Sequence, residues 1–147
     1  MKNILIYNNP AEIVHFVKDL TVDEIKKYAE AELPKDTQYI ITTVDKLPYS
    51  RTFRNAWRIN TNKNSIQVNL KEAKQIAHKS RRLSREEEFA PFDNIIAKQV
   101  PGEDFASAEK KREKIRTKYK ILQSEIDDCN SVKELNAKCD WINKLTR

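Results

Sequence analysis

Short runs of β-prone residues dominate the first half of the chain, and apolar residues at helical spacing dominate the second half. Asn3–Tyr7 and Gln38–Val44 are rich in β-branched and aromatic residues, so we predict a strand in each. Glu12–Val17 has the same character and follows the turn residues 8–11, which predicts a hairpin with the first strand. A helix over residues 10–20 remains open as the alternative.

The boundaries of the next elements are set by capping and turn residues. Thr21 with Glu24 three residues later forms a capping-box pattern, which predicts the start of a helix. Pro34 ends that helix because it cannot continue the hydrogen-bond ladder. Residues 61–64 (TNKN) predict a turn, and the alternating SIQVN that follows predicts a strand. Asn69 then provides a cap for a long helix.

From Leu70 onwards the spacing of apolar residues predicts helices. Pro91 is a weak point in the first of them, Pro101 with Gly102 marks its end, and Asp104 provides a cap for the second. The buried stripe expected on the first helix comprises Leu70, Ala73, Ile76, Ala77, Ser80 and Leu83, followed by Phe92, Ile95, Ile96 and Val100.

The second long helix has a narrower apolar seam and ends at a loop over residues 127–130. Ser131 and Glu134 form another capping-box pattern, which predicts a short final helix. Narrow seams favour helix-on-helix packing over burial in a thick core. The expected inward residues are Ala108, Ile115, Tyr119, Leu122 and Ile126 on the second helix, and Val132, Leu135, Cys139 and Ile142 on the short one.

These elements together predict an α+β fold in two parts. Residues 1–69 form a small α+β head of hairpin, helix and strands. Residues 70–147 form an antiparallel helical hairpin with a short third helix. A chain of 147 residues can bury only a modest core, and the helical part leaves much surface for self-association or for a partner.

Composition excludes several classes of function. Charged residues make up 34% of the chain and the mean hydropathy is −0.77, with no apolar run of the length that a membrane span needs. Gly102 is the single glycine, so glycine-rich phosphate loops and nucleotide cofactors are not expected. Cys129 and Cys139 are expected to be reduced thiols in a cytoplasmic protein, not zinc ligands.

The residues of catalytic or metal-binding type are scattered. His15 is expected to be a structural residue of a half-buried strand, and His78 a solvated residue on the polar face of its helix. Neither has carboxylate or cysteine neighbours at ligand spacing, so we expect no metal site. We identify no catalytic residues and expect the protein not to be an enzyme.

Basic residues lie at two places in the helical part. Lys74, Arg81, Arg82 and Arg85 fall on one helical face, and lysines and arginines are again dense between residues 110 and 120. Such a face is either the solvated side of a helix or a surface that follows phosphates. Nucleic-acid binding through Lys74, Arg81, Arg82 and Arg85 is therefore our alternative function.

An arginine–aromatic cluster precedes the turn at residues 61–64. It comprises Phe53, Arg54, Trp57 and Arg58. Exposed aromatic and arginine side chains dominate the energetics of protein interfaces, so these four are the candidate partner-binding residues. Burial of Phe53 and Trp57 in the core of the head is the alternative, and in that case the segment is a structural junction.

Several segments of the chain form a recognisable series. They are residues 6–10 (IYNNP), 20–25 (LTVDEI), 47–48 (LP), 51–57 (RTFRNAW) and 68–73 (VNLKEA), with Arg81, Arg82, Asp93 and Trp141. In these segments the chain resembles small bacteriophage proteins encoded among tail and tail-fibre genes. Its helical part is similar to phage tail assembly chaperones, in which an arginine-bearing helix and an aspartate precede a second helix and a closing tryptophan.

The resemblance implies a non-enzymatic tail-module protein, either an assembly chaperone or a minor tail- or fibre-associated component. Its partner would be a tail or tail-fibre protein, and it would act in the host cytoplasm or on the virion. No catalytic residue, metal or cofactor follows from the resemblance.

Overall fold

The computed structural model describes residues 2–98 and 105–141 of the chain. The fold is α+β, with short strands followed by long helices, as the sequence predicts. Two compact units divide between Ala73 and Lys74, inside a long helix. The predicted break at Pro101 and Gly102, the Asp104 cap and the inward position of Ile142 lie outside the described residues.

Unit 1 contains a three-stranded antiparallel sheet in the order β2-β1-β3. The strands are β1 (Asn3–Tyr7), β2 (Glu12–His15) and β3 (Tyr39–Thr43). Residues 8–11 form the turn between β1 and β2, with Asn8 in the left-handed region at φ 64°. Asn favours that conformation. Because β1 and β2 pair in antiparallel register, the predicted hairpin is confirmed and the alternative helix over residues 10–20 is wrong.

Helix α1 (Val22–Glu32) covers one face of this sheet and follows the predicted capping box. Thr21 and Glu24 exchange both expected hydrogen bonds, at 3.3 and 2.7 Å. The buried residues Ile25 and Ala29 pack with Leu5 and Ile41 of the sheet.

The other face of the sheet packs against residues of a second hairpin. This hairpin is formed by β4 (Trp57–Asn60) and β5 (Ser65–Val68), and a short 3₁₀ turn over Arg54–Ala56 precedes it. Trp57 is fully buried in a cluster with Ile4, Ile6 and Ile40. The predicted turn at residues 61–64 joins the two strands.

The three described helices of the second half are α2 (Leu70–Lys98), α3 (Phe105–Asp127) and α4 (Val132–Lys138). The Asn69 side chain accepts a hydrogen bond from Glu72 N at 3.0 Å, which confirms the predicted cap. Helix α2 continues through Pro91. Ser131 Oγ accepts from Glu134 N, whereas the Glu134 carboxylate accepts from Asn130 N and not from the cap residue.

The buried side of α2 differs from the predicted stripe around residues 81–84, and Val100, the last residue of that stripe, lies outside the described residues. Leu83 is 53% exposed, so its assignment to the stripe is wrong. Arg81 and Ser84 are buried instead, in line with Ala73 and Ala77. The spacing of these four buried residues, in steps of four, four and three, matches the helical period, as the spacing of the predicted stripe also does. Periodicity therefore does not choose between the two sets. On α3 the predicted seam is confirmed by the buried residues Ala108, Ile115, Tyr119 and Ile126.

Candidate functional site

The arginine–aromatic cluster is not an exposed surface. Phe53 and Trp57 are 1% and 0% exposed, so the expectation that these aromatic rings are available to a partner is wrong. Their burial follows from the short strands of unit 1, which need large side chains to fill the space beside the sheet. Arg54 is exposed and Arg58 is half-buried.

Arg58 makes structural contacts. Its Nη1 donates to the backbone oxygens of Asn55 at 3.1 Å and Trp57 at 2.9 Å, and its Nη2 forms an ion pair with Glu72 in the first turn of α2. The guanidinium thus links β4 to the start of α2. We therefore interpret this segment as the structural junction of unit 1, with Arg54 as its accessible cation.

The four basic residues predicted on α2 do not share one free face. Lys74 Nζ donates to the backbone oxygen of Asp127 at 2.8 Å, and Arg81 is 8% exposed. Burial, aided by the charge of Arg82, lowers the pKa of Arg81. Arg82 and Arg85 remain exposed, and Arg85 lies 4.9 Å from the centre of the Phe89 ring. This face presents two accessible arginines instead of four cations.

His78 lies between α2 and the end of α3. Its side chain is 17% exposed and its Nε2 lies 2.7 Å from Asp127 Oδ1, so the expectation of a solvated residue is wrong. Arg81 Nε donates to His78 Nδ1 at 3.3 Å. A guanidinium nitrogen always has its proton, so Nδ1 is the acceptor and Nε2 donates to Asp127. The three side chains hold the two helices together.

An open groove lies within unit 2, between α2, α3 and the C-terminal side of α4. Its volume is about 690 Å³, which is within the range of ligand and peptide pockets. Ile121, 56% exposed, is one of its lining side chains. Leu83, 53% exposed, does not line the groove but lies on α2 one helical turn before the lining residue Glu87. The lining residues are Ser84, Glu87, Glu88, Lys118, Tyr119, Ile121, Leu122, Glu125, Lys138 and Trp141.

A hydrogen-bonded group forms one wall of the groove. Glu88 Oε1 accepts from Lys118 Nζ at 2.6 Å and from Tyr119 Oη at 2.7 Å. Burial alone would raise the pKa of Glu88, but the bonds from Lys118 and Tyr119 outweigh it and lower that pKa. Burial and the Glu88 carboxylate raise the pKa of Tyr119. On this wall the charges of Glu88 and Lys118 therefore cancel each other, and the neighbouring Tyr119 hydroxyl keeps its proton.

The remaining charges of the groove are largely balanced. Lys138 Nζ lies 4.0 Å from Glu125 Oε1. Among the described residues Glu87 has no ion pair, while Ser84 Oγ and Trp141 Nε1 are buried without a hydrogen-bond partner. The sequence placed Tyr119 and Leu122 on the apolar seam but did not reveal the groove, because the groove depends on where α4 packs. Trp141, the closing tryptophan of the resemblance, is the feature of the sequence that could have pointed to the groove.

Cys129 and Cys139 are both free and buried. Burial raises the pKa of Cys139 to about 11, and burial with the Glu134 charge raises that of Cys129. Within residues 2–98 and 105–141, no cluster of three His, Cys, Asp or Glu side chains is placed to hold a metal ion. The helices of these residues include none that could span a membrane.

We expect both thiols to react slowly in the folded protein, because the thiolate is the reactive form and burial disfavours it. With Ellman's reagent at pH 8, the native chain should release thionitrobenzoate at least about tenfold more slowly than the chain in 8 M urea. The variants Cys129→Ala and Cys139→Ala assign the signal to each thiol. A burst equal to two thiols in the native chain would contradict the burial.

No protein-family model matches the chain, and no significantly similar curated protein or solved structure was found.

Proposed function

We propose that this chain is a non-enzymatic bacteriophage tail-module protein that acts by protein–protein interaction. It is an assembly chaperone, or a minor tail- or fibre-associated component, acting in the host cytoplasm or on the virion. The phage assignment rests on the resemblance of segments such as RTFRNAW at residues 51–57. The mode of action rests on the groove of unit 2.

The groove supports binding of an apolar segment of a tail or tail-fibre protein. Exposed apolar side chains at Ile121 and Leu83 accompany a concave surface with Leu122 and Trp141 in its lining. Grooves between helices with such residues receive the apolar face of a partner helix. The pairing of Glu88 with Lys118 neutralises one wall, which lowers the cost of covering it.

The test is co-expression of the full chain with the tail and tail-fibre proteins encoded beside it, followed by co-purification. We expect one of them to co-purify with the wild-type chain. Ile121→Asp and Leu83→Asp should each reduce the recovered partner by about tenfold or more, because a carboxylate in an apolar interface has no compensating partner. Both side chains are exposed in the free chain, so both variants should keep the fold.

The matched control is Val17→Asp, since Val17 is 94% exposed and belongs to unit 1. This variant should co-purify the partner as well as the wild type does. Equal recovery with all three variants would show that the groove is not the binding surface. If none of the tail or fibre proteins co-purifies with the wild type, the assignment to the tail module fails.

A further inference from the structure

Three lysines on α3 form an exposed stripe that runs towards the groove. Lys110, Lys114 and Lys118 are spaced by four residues, and Ile121 follows three residues later. On a helix this spacing places the four side chains in one line about 17 Å long. All four are exposed, and Lys118 and Ile121 also line the groove.

The acidic residues of α3 close to Lys110 and Lys114 pair with arginines and not with these two lysines. Glu109 accepts from Arg112 at 2.8 Å and from Arg116 at 2.9 Å, and Glu113 accepts from Arg116 at 2.7 Å. Arg112 and Arg116 lie on the far side of α3 from the stripe, whereas Glu113 is three residues after Lys110 and its carboxylate is engaged by Arg116. The hydrogen bond from Arg116, followed by that from Arg112, lowers the pKa of Glu109, in keeping with an ionised carboxylate.

Because the carboxylates of Glu109 and Glu113 pair with arginines, the stripe keeps its positive charge beside the apolar groove. Among the described residues, Lys110 and Lys114 have no carboxylate partner, and Lys118 is neutralised by Glu88. Along α3 the surface therefore begins with the two unpaired lysines, continues with the neutral pair of Lys118 and Glu88, and ends with the apolar Ile121. A partner that covers the whole stripe must therefore place carboxylates opposite Lys110 and Lys114 and apolar groups opposite Ile121.

We propose that the groove takes an acidic amphipathic segment of the partner protein. Its apolar side chains contact Ile121, Leu122 and Trp141, and a cluster of Asp or Glu at one end of the segment lies along Lys110 and Lys114. The inference rests on the proposed function, since it specifies the chemistry of the segment that the same groove binds.

A nucleic acid would use this surface differently. Phosphates would pair with Lys110 and Lys114, but they offer nothing to the apolar part of the stripe. Of the two aromatic residues of α3, Tyr119 is 3% exposed and cannot stack on a base. Phe105 is exposed, but the helical spacing places it on the opposite side of α3 from Lys110 and Lys114. The continuity of the lysines with Ile121 and the groove favours a peptide.

The experiment selects peptides on the immobilised full chain from a displayed library of random 16-residue sequences. Clones that also bind the Ile121→Asp variant are removed. We expect the surviving peptides to combine apolar residues at helical spacing with a cluster of Asp or Glu at one end. The most enriched peptides are then synthesised, labelled with fluorescein and titrated with the full chain by fluorescence anisotropy.

Charge reversal at the stripe provides the decisive comparison. At 50 mM NaCl, Lys110→Glu with Lys114→Glu should weaken binding by about tenfold, and at 500 mM NaCl by less than about twofold, because exposed charges are screened. The matched control is Lys120→Glu, an exposed lysine on the other flank of the same helix, which should change the Kd by less than about twofold.

The other outcomes separate this inference from the proposed function. Groove-dependent peptides without acidic residues, or with equal affinity for the wild type and the double variant, overturn the inference and leave groove binding intact. The absence of any peptide that depends on Ile121 overturns both. If the double variant instead loses only its retention on a 20-base-pair DNA duplex, the stripe is a nucleic-acid surface and the inference is wrong.

Discussion

Replacing Trp57 by alanine is expected to lower the free energy of unfolding of unit 1 by about 3–5 kcal/mol. The indole is fully buried and packs with Ile4, Ile6 and Ile40, so its removal leaves a cavity beside the sheet. Amide hydrogen exchange of β1 and β3 in the full chain measures this loss locally. A decrease of this size accelerates exchange by about 100-fold or more, since each 1.4 kcal/mol corresponds to a factor of ten.

Trp57→Phe is the control that keeps most of the ring. Among the described residues Trp57 Nε1 is buried without a partner, so phenylalanine removes an unsatisfied donor along with some volume. The two effects oppose each other, and we expect a loss of only about 1–2 kcal/mol. Unchanged exchange in the alanine variant would mean that Trp57 is not part of the core, and would restore it as a candidate partner-binding residue.

Tyr119→Ala is expected to have an effect of similar size on unit 2, about 3–5 kcal/mol. The ring is 3% exposed and packs with Phe89 and Ile115. Urea unfolding followed by the fluorescence of Trp141, in a Trp57→Phe background, measures the stability of this unit. Tyr119→Phe is the matched variant, because it removes only the hydroxyl that donates to Glu88. It should cost about 1–2 kcal/mol.

The pH dependence of the same variants tests the Tyr119–Glu88 contact. Burial and the Glu88 carboxylate raise the pKa of Tyr119 above its ordinary value of 10 in the folded chain. The unfolded chain therefore loses this proton first as the pH rises past 10, which favours unfolding. The stability difference between the wild type and Tyr119→Phe should be constant below pH 9 and shrink above pH 10. A constant difference up to pH 11 would contradict the burial of the Tyr119 hydroxyl beside Glu88.

Local patterns were sufficient to predict most of the elements. The capping residues Thr21, Asn69 and Ser131 identified three helix starts, because a side-chain oxygen three residues before a backbone N–H is a purely local device. The hairpin of β1 and β2 followed from β-branched strands around Asn8, which takes the left-handed conformation. Each of these signals lies within a few residues of the structure it specifies.

The candidate site was predicted less well. Its residues come from positions 84–88, 118–125 and 138 on three helices and from Trp141 just after α4, and no spacing in the sequence connects them. Leu83 was expected inside because it is apolar, yet the rotation of α2 is set by contacts with α3, such as those of Lys74 and His78 with Asp127. These contacts bury Arg81 and Ser84 and leave Leu83 exposed.

The fold class, the order of the elements and the caps follow from the amino-acid sequence, because propensity, periodicity and capping act over one or two helical turns or along a single strand. Which side of each element is buried, and which charges are neutralised, depends on packing between elements. Such packing places Trp57 in the core, pairs Glu88 of α2 with Lys118 of α3, and joins His78 of α2 to Asp127 at the end of α3. No local pattern specifies these two pairs, since their partners are 30 and 49 residues apart in sequence.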